Sequence, residues 1–149
     1  GSIWGSNWFF VGALLPWLVI GFFFAMKRHR LLDIFQLGDE TAISVGIAVK
    51  KERIVSLLLA VMLAASAISV TGGINFLGLL APHIARKCGF TQQKQVLPLA
   101  ALFGSLLLLV SDTIGRLLPG NGEMPAGIIV AIIGAPYFLY LLIKTSDSL

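Results

Sequence analysis

His83, Asp112 and Glu123 are the residues of this 149-residue chain that acid–base catalysis or metal binding would call on. Either chemistry needs its groups to converge on one reacting atom. His83 has no second ligand near it in the sequence, so no metal site is expected. It follows Pro82, and its expected work is to satisfy backbone groups left unpaired by that proline. The single Cys88 excludes an intrachain disulfide and any multi-cysteine metal site. No G-x-x-x-x-G-K-[ST] loop occurs, so ATP would have to be handled by another chain. Asp112 and Arg116 are four positions apart, the spacing at which opposite charges meet on one helix face. They read either as a local pair or as a charged surface for a partner. Asp112 also reads as a structural cap.

The elements that must position these residues are apolar. Hydrophobic residues make up 57% of the chain and charged residues 12%, with a mean hydropathy of +0.92, far from soluble averages. Crossing about 30 Å of hydrocarbon takes roughly 20 apolar residues. Runs suited to crossing are predicted at 8–26, 54–72, 74–87, 96–115 and 125–143, with a polar, mixed-charge segment at 31–53. That segment is too polar to span and is expected to form one or two short helices at the membrane surface. The chain opens Gly1-Ser2 without a Met or a basic leader, so no signal peptide is expected and a fragment of a longer protein is. The fold class is therefore all-α and polytopic, with about five transmembrane helices and a short surface helical pair.

Charge distribution tests this reading, because Lys and Arg concentrate in cytoplasmic loops. The net charge of +4 comes from short clusters between apolar runs, which describes topology and not a nucleic-acid-binding face. If all five runs cross, then ten of the 11 basic residues lie inside and Arg116 alone lies outside. If 74–85 is re-entrant instead, Arg86, Lys87 and Lys94 move outside and the bias collapses. The five-crossing arrangement is the expectation. Either way, a segment interrupted by Gly78 and Pro82 points to a transport path. Gly73, Gly78, Pro125, Gly127, Gly134 and Pro136 read together as small residues and kinks that let helices pack closely and rock.

The sequence also resembles a known family. GGINFLGLLAPHIAR at 72–86, SDTIGR at 111–116, EMPAG at 123–127 and GAPYF at 134–138 are similar to blocks of the C-terminal region of FecCD permeases. LDIFQLGDETAISVGI at 32–47 and GSIWGSNW at 1–8 extend the likeness over the whole chain. Ser111 and Val45 depart from the residues common in the family.

The resemblance implies the C-terminal half of a ten-span permease, spans six to ten, in the bacterial cytoplasmic membrane. Its function would be alternating-access import of a ferric siderophore or a haem- or cobalamin-like chelate. It further implies that 36–50 forms two short cytoplasmic helices docking an ABC ATPase subunit, with Leu37, Gly38, Asp39, Glu40, Ala42 and Gly46 in the contact. The residues support a helix there independently. Gly38 and Gly46 can bound it, and Asp39 and Glu40 fall in its first turn, where the helix dipole favours anions.

Arg116, with Asp112, is implied to meet a glutamate of an extracytoplasmic substrate-binding protein. The other implied partners are a second permease subunit, identical or not, and membrane lipid. No cofactor is expected on this chain, since ATP and Mg belong to the ATPase. The competing readings are a zinc- or manganese-type importer permease, a structural membrane protein or channel, and a membrane-embedded enzyme. P-H-x-x-R at 82–86 argues against the first, the polar docking segment against the second, and the scattered candidates against the third.

Overall fold

The computed structural model describes residues 7–74, 76–117 and 126–146, and these form helices with no strand among them. In chain order the helices are α1 (Trp8–Lys27), α2 (His29–Gln36), α3 (Asp39–Ser44), α4 (Val49–Thr71), α5 (Leu77–Lys87), α6 (Gln93–Leu117) and α7 (Ala126–Ser146). Among them α1, α4, α6 and α7 are long and apolar enough to cross a membrane. Helix is the expected outcome for such runs, because a backbone without water must satisfy its polar groups internally.

Charged residues extend the helices beyond the apolar runs. α4 begins at Val49, so Lys50, Lys51, Glu52 and Arg53 form its first turns. Hydropathy places its start at Ile54, but Lys, Glu and Arg are themselves good helix formers.

The helices run between two ends. At the basic end, Arg28 at the close of α1 pairs with Glu52 at the start of α4, and Gly21 lies against Leu63 further along, so α1 and α4 are antiparallel. The Gln93 N–H donates to Asp33 Oδ1 at 2.7 Å, which places the start of α6 at that end beside α2. Gly104 of α6 faces Ala81 of α5, and α6 runs antiparallel to α5. Phe76 and Leu80 pack on Gly134 while His83 meets Tyr137, so α5 and α7 are parallel.

Residues 72–87 therefore return from the opposite end of α4 to the basic end. They do so in two pieces. The 11 residues of α5 rise about 16 Å, roughly half the hydrocarbon thickness. The rest of the distance falls between the end of α4 and the start of α5, where Gly72 takes φ 72° and Phe76 takes φ 65°. One sequence expectation changes here. The interruption of the 74–87 run lies at neither Gly78 nor Pro82, both of which sit inside α5. The proline removes only the bond its nitrogen would have made to the Gly78 carbonyl, and the helix continues through it. The left-handed backbone at Phe76 makes the break instead.

α5, α6 and α7 share the buried core. Leu80, Ala81 and Ala85 of α5, Val96, Gly104, Ser111 and Gly115 of α6, and Ala126, Gly127, Ile129 and Val130 of α7 are buried, with Ala81 against Gly104. Small residues at such contacts let backbones approach closely, which is how helices associate in lipid. α1 and α4 bury no residue, and Gly21 of α1 lies against the Leu63 side chain of α4.

Candidate functional site

The basic end is built around α3. Gly38 (φ 103°) and Gly46 (φ 81°) occupy the left-handed half of backbone space on either side of it, a conformation costly for any residue with a Cβ. Asp39 and Glu40 stand in its first turn, and Ala42 is fully buried, its carbonyl accepting the Ile47 N–H at 3.0 Å. Leu37, Ile43 and Val45, at α3 and its two flanks, are exposed. The seat is polar. Arg53 of α4 donates through both terminal nitrogens to Asp39, at 2.5 and 3.2 Å, and its guanidinium lies 5.7 Å from the centre of the Phe35 ring. One arginine thus touches α2, α3 and α4, a geometry suited to its planar fork.

The expectation of two short helices within 36–50 is corrected. Only α3 lies inside that range, and the second short helix, α2, ends at Gln36. The chain turns at Arg28 (φ −95°, ψ 7°) and resumes helix at His29, whose Nδ1 is 2.7 Å from the Met26 carbonyl oxygen. α2 then turns its polar Asp33 onto the first N–H of α6, one of the donors that no helix can satisfy internally.

At the opposite end, Arg116 Nε donates to Asp112 Oδ2 at 2.8 Å within α6. This is the local pair that the spacing allowed, and 54% of the Arg116 side chain stays exposed. Glu123 and Pro125 lie outside the described residues.

Between the ends, α5 and α7 meet. His83 was expected to satisfy backbone groups freed by Pro82, but its Nδ1 lies 3.2 Å from the Tyr137 hydroxyl, and the two rings pack edge to face. A Cβ on Gly134 would sit 2.8 Å from Phe76 Cβ, so this glycine is what admits the left-handed Phe76. Gly127 is buried, whereas Gly73 and Gly78 have open space where a Cβ would sit and serve no close packing among the described residues. Arg86 and Pro136 are exposed, Pro136 within α7.

Among the described residues, no three of His, Cys, Asp and Glu come together to hold a metal ion. No motif or spacing in the sequence marks Asp33, Phe35, Arg53 or Tyr137 as a site residue. The partners of Asp33 and Tyr137 are 60 and 54 residues away, and no spacing rule reaches that far.

Known proteins bear on these surfaces. The chain matches the FecCD transport family over residues 1–144. It is 47% identical to the iron(3+)-hydroxamate import system permease protein FhuG of Bacillus subtilis, over 98% of this chain and 44% of that protein. It is 38% identical to the Fe(3+) dicitrate transport system permease protein FecD of Escherichia coli, over 97% of this chain and 45% of that protein. The hemin transport system permease protein HmuU of Yersinia pestis is 37% identical, over 91% of this chain and 39% of its own length. Among solved structures, an inward-facing metal-chelate type ABC transporter superposes with a TM-score of 0.87 at 27% identity, over 97% of this chain and 46% of that one. The chain spans less than half the length of these relatives. The blocks at 72–86, 111–116 and 134–138 fall within the matched range, and the chain belongs to the FecCD transport family.

Proposed function

We propose that this chain is the C-terminal half of the permease of a binding-protein-dependent, ATP-driven importer in the bacterial cytoplasmic membrane, with a ferric siderophore or a haem-like chelate as cargo. Family membership over residues 1–144 carries this reading, and relatives named for hydroxamate, citrate and hemin transport supply the cargo class. Paired permease subunits would enclose the path, and paired ATPase subunits would drive it by alternating access. The positive-inside bias puts the basic end in the cytoplasm.

Two features support the assignment of partners. α3 and its flanks present exposed Leu37, Ile43 and Val45 beside Asp39 and Glu40, with Asp39 held by Arg53 of α4, the form of a short peg that an ATPase groove can grip. At the outer end, the exposed Arg116 can trade Asp112 for a carboxylate on a delivering protein, which would give register and on-rate more than affinity. No covalent step falls to this chain, and ATP with its Mg would be held by the ATPase.

The test is reconstitution of the full permease with its ATPase and binding protein in vesicles, reading uptake of radioiron presented as hydroxamate, citrate or haem complexes. ATP-dependent accumulation of one of these is expected. Accumulation of zinc or manganese with none of the iron complexes would overturn the cargo assignment.

A further inference from the structure

The structure contains a route between its two ends that family membership does not specify. At the basic end, Arg53 joins Asp39 of α3 to the Phe35 ring of α2. Two residues before Phe35, Asp33 accepts the Gln93 N–H at 2.7 Å, a contact between residues 60 apart. α6 then runs 25 residues, about 37 Å, as one helix to Asp112 and Arg116. Its flank packs on α5, where Gly104 faces Ala81. Arg53 thus joins α3 to α2, and Asp33 joins α2 to α6. The helix so joined is the one that bears Arg116 at the other end.

We infer that Asp33 is a positioning residue for transport: its carboxylate fastens α6 to α2, so that movement of α3 shifts the end of α6 that carries Arg116. This rests on the reading of α3 as the ATPase contact. The hydrogen bond is suited to the task. It is charge-assisted, part-buried, and made to a helix-terminal N–H, which the helix itself leaves unpaired. Asp33 also opposes the positive end of the α6 dipole.

Two substitutions remove the same bond from opposite sides. Asp33→Ala deletes the acceptor. Gln93→Pro deletes the donor while leaving the helix able to form, because proline suits a first helical position. Asp33→Asn keeps an oxygen that can accept the bond and serves as the conservative rescue. The full permease is assembled with its ATPase in vesicles. Three quantities are read: basal ATP hydrolysis, its stimulation by loaded binding protein, and uptake per ATP hydrolysed.

Asp33→Ala and Gln93→Pro are each expected to lower stimulation and uptake per ATP about tenfold, the scale of losing a hydrogen bond to a charged group, with basal hydrolysis and assembly unchanged and Asp33→Asn close to wild type. Undiminished stimulation and coupling in Asp33→Ala would overturn the inference. So would a parallel loss of assembly, basal hydrolysis and uptake, which would make Asp33 a fold residue only. Ala42→Trp in α3 separates the two levels. If it leaves uptake intact, the α3 reading itself fails; if it uncouples while Asp33→Ala does not, only the inference fails.

Discussion

The two ends of this chain carry charge in opposite ways. At the basic end, ion pairs and hydrogen bonds join different elements: Arg28 with Glu52 ties α1 to α4, Arg53 with Asp39 ties α4 to α3, and Asp33 with Gln93 ties α2 to α6. At the opposite end, the ion pair among the described residues, Arg116 with Asp112, lies within one helix. It holds no second element. Charge that crosses between elements braces them as a unit, whereas charge confined to one helix leaves the side chain available for exchange. Under the proposed function, the contrast fits an end that would pass on force and an end that would accept and release a visitor.

The largest break in this contrast is expected from Ala42→Trp. Ala42 has no exposed surface, and an indole there cannot be housed without lifting α3 off its seat. Overpacking of this kind costs about 1–3 kcal/mol locally. In reconstituted vesicles, uptake should fall at least about tenfold, with ATP hydrolysis continuing. Parallel measurement of uptake and phosphate release checks it, and wild-type uptake would show that the seat of α3 does not matter.

The middle effect belongs to the other end. Arg116→Glu reverses an exposed charge and places two carboxylates one turn apart, destabilising α6 by only a few tenths of a kcal/mol. Binding of the soluble partner should weaken about fivefold at low salt, near 1 kcal/mol, chiefly through a slower on-rate. The loss should shrink as salt screens the interaction. Surface-immobilised permease titrated with binding protein at two ionic strengths reads this directly. An affinity unchanged at low salt would remove Arg116 from the docking surface.

What could be read in the sequence divides along physical lines. The long helices follow from uncharged runs, because lipid leaves the backbone no other partner. The Gly38 and Gly46 bounds of α3 follow from the one residue that tolerates positive φ. The broken return of 72–87 is legible as an irregularity, but Gly78 and Pro82, the residues that suggest its place, both lie inside α5. The position of the break is decided by Phe76 packing on Gly134, and that contact spans 58 residues. His83 was misread for the same reason, since its partner Tyr137 sits on another helix. The cross-element ties of the basic end follow no local rule. Asp33 in HRLLDIFQ looks like the polar face of a surface helix until α6 is seen to begin beside it.

The smallest expected effect sharpens the comparison most finely. Arg53→Lys keeps the charge at the junction of α2, α3 and α4 but removes the fork that reaches both oxygens of Asp39. The side chains of this pair are each half exposed, and such a pair contributes about 0–1 kcal/mol. Stability of the permease should therefore hardly move, and the thermal midpoint in detergent should match the wild type. Coupling should drop modestly, by about two- to threefold in uptake per ATP, because a flexible ammonium can neutralise Asp39 without fixing its direction or stacking on Phe35. A lysine variant with full coupling would mean that charge alone braces α3. A variant that loses stability and coupling together would mean that the brace belongs to the fold and not to the transmission of movement.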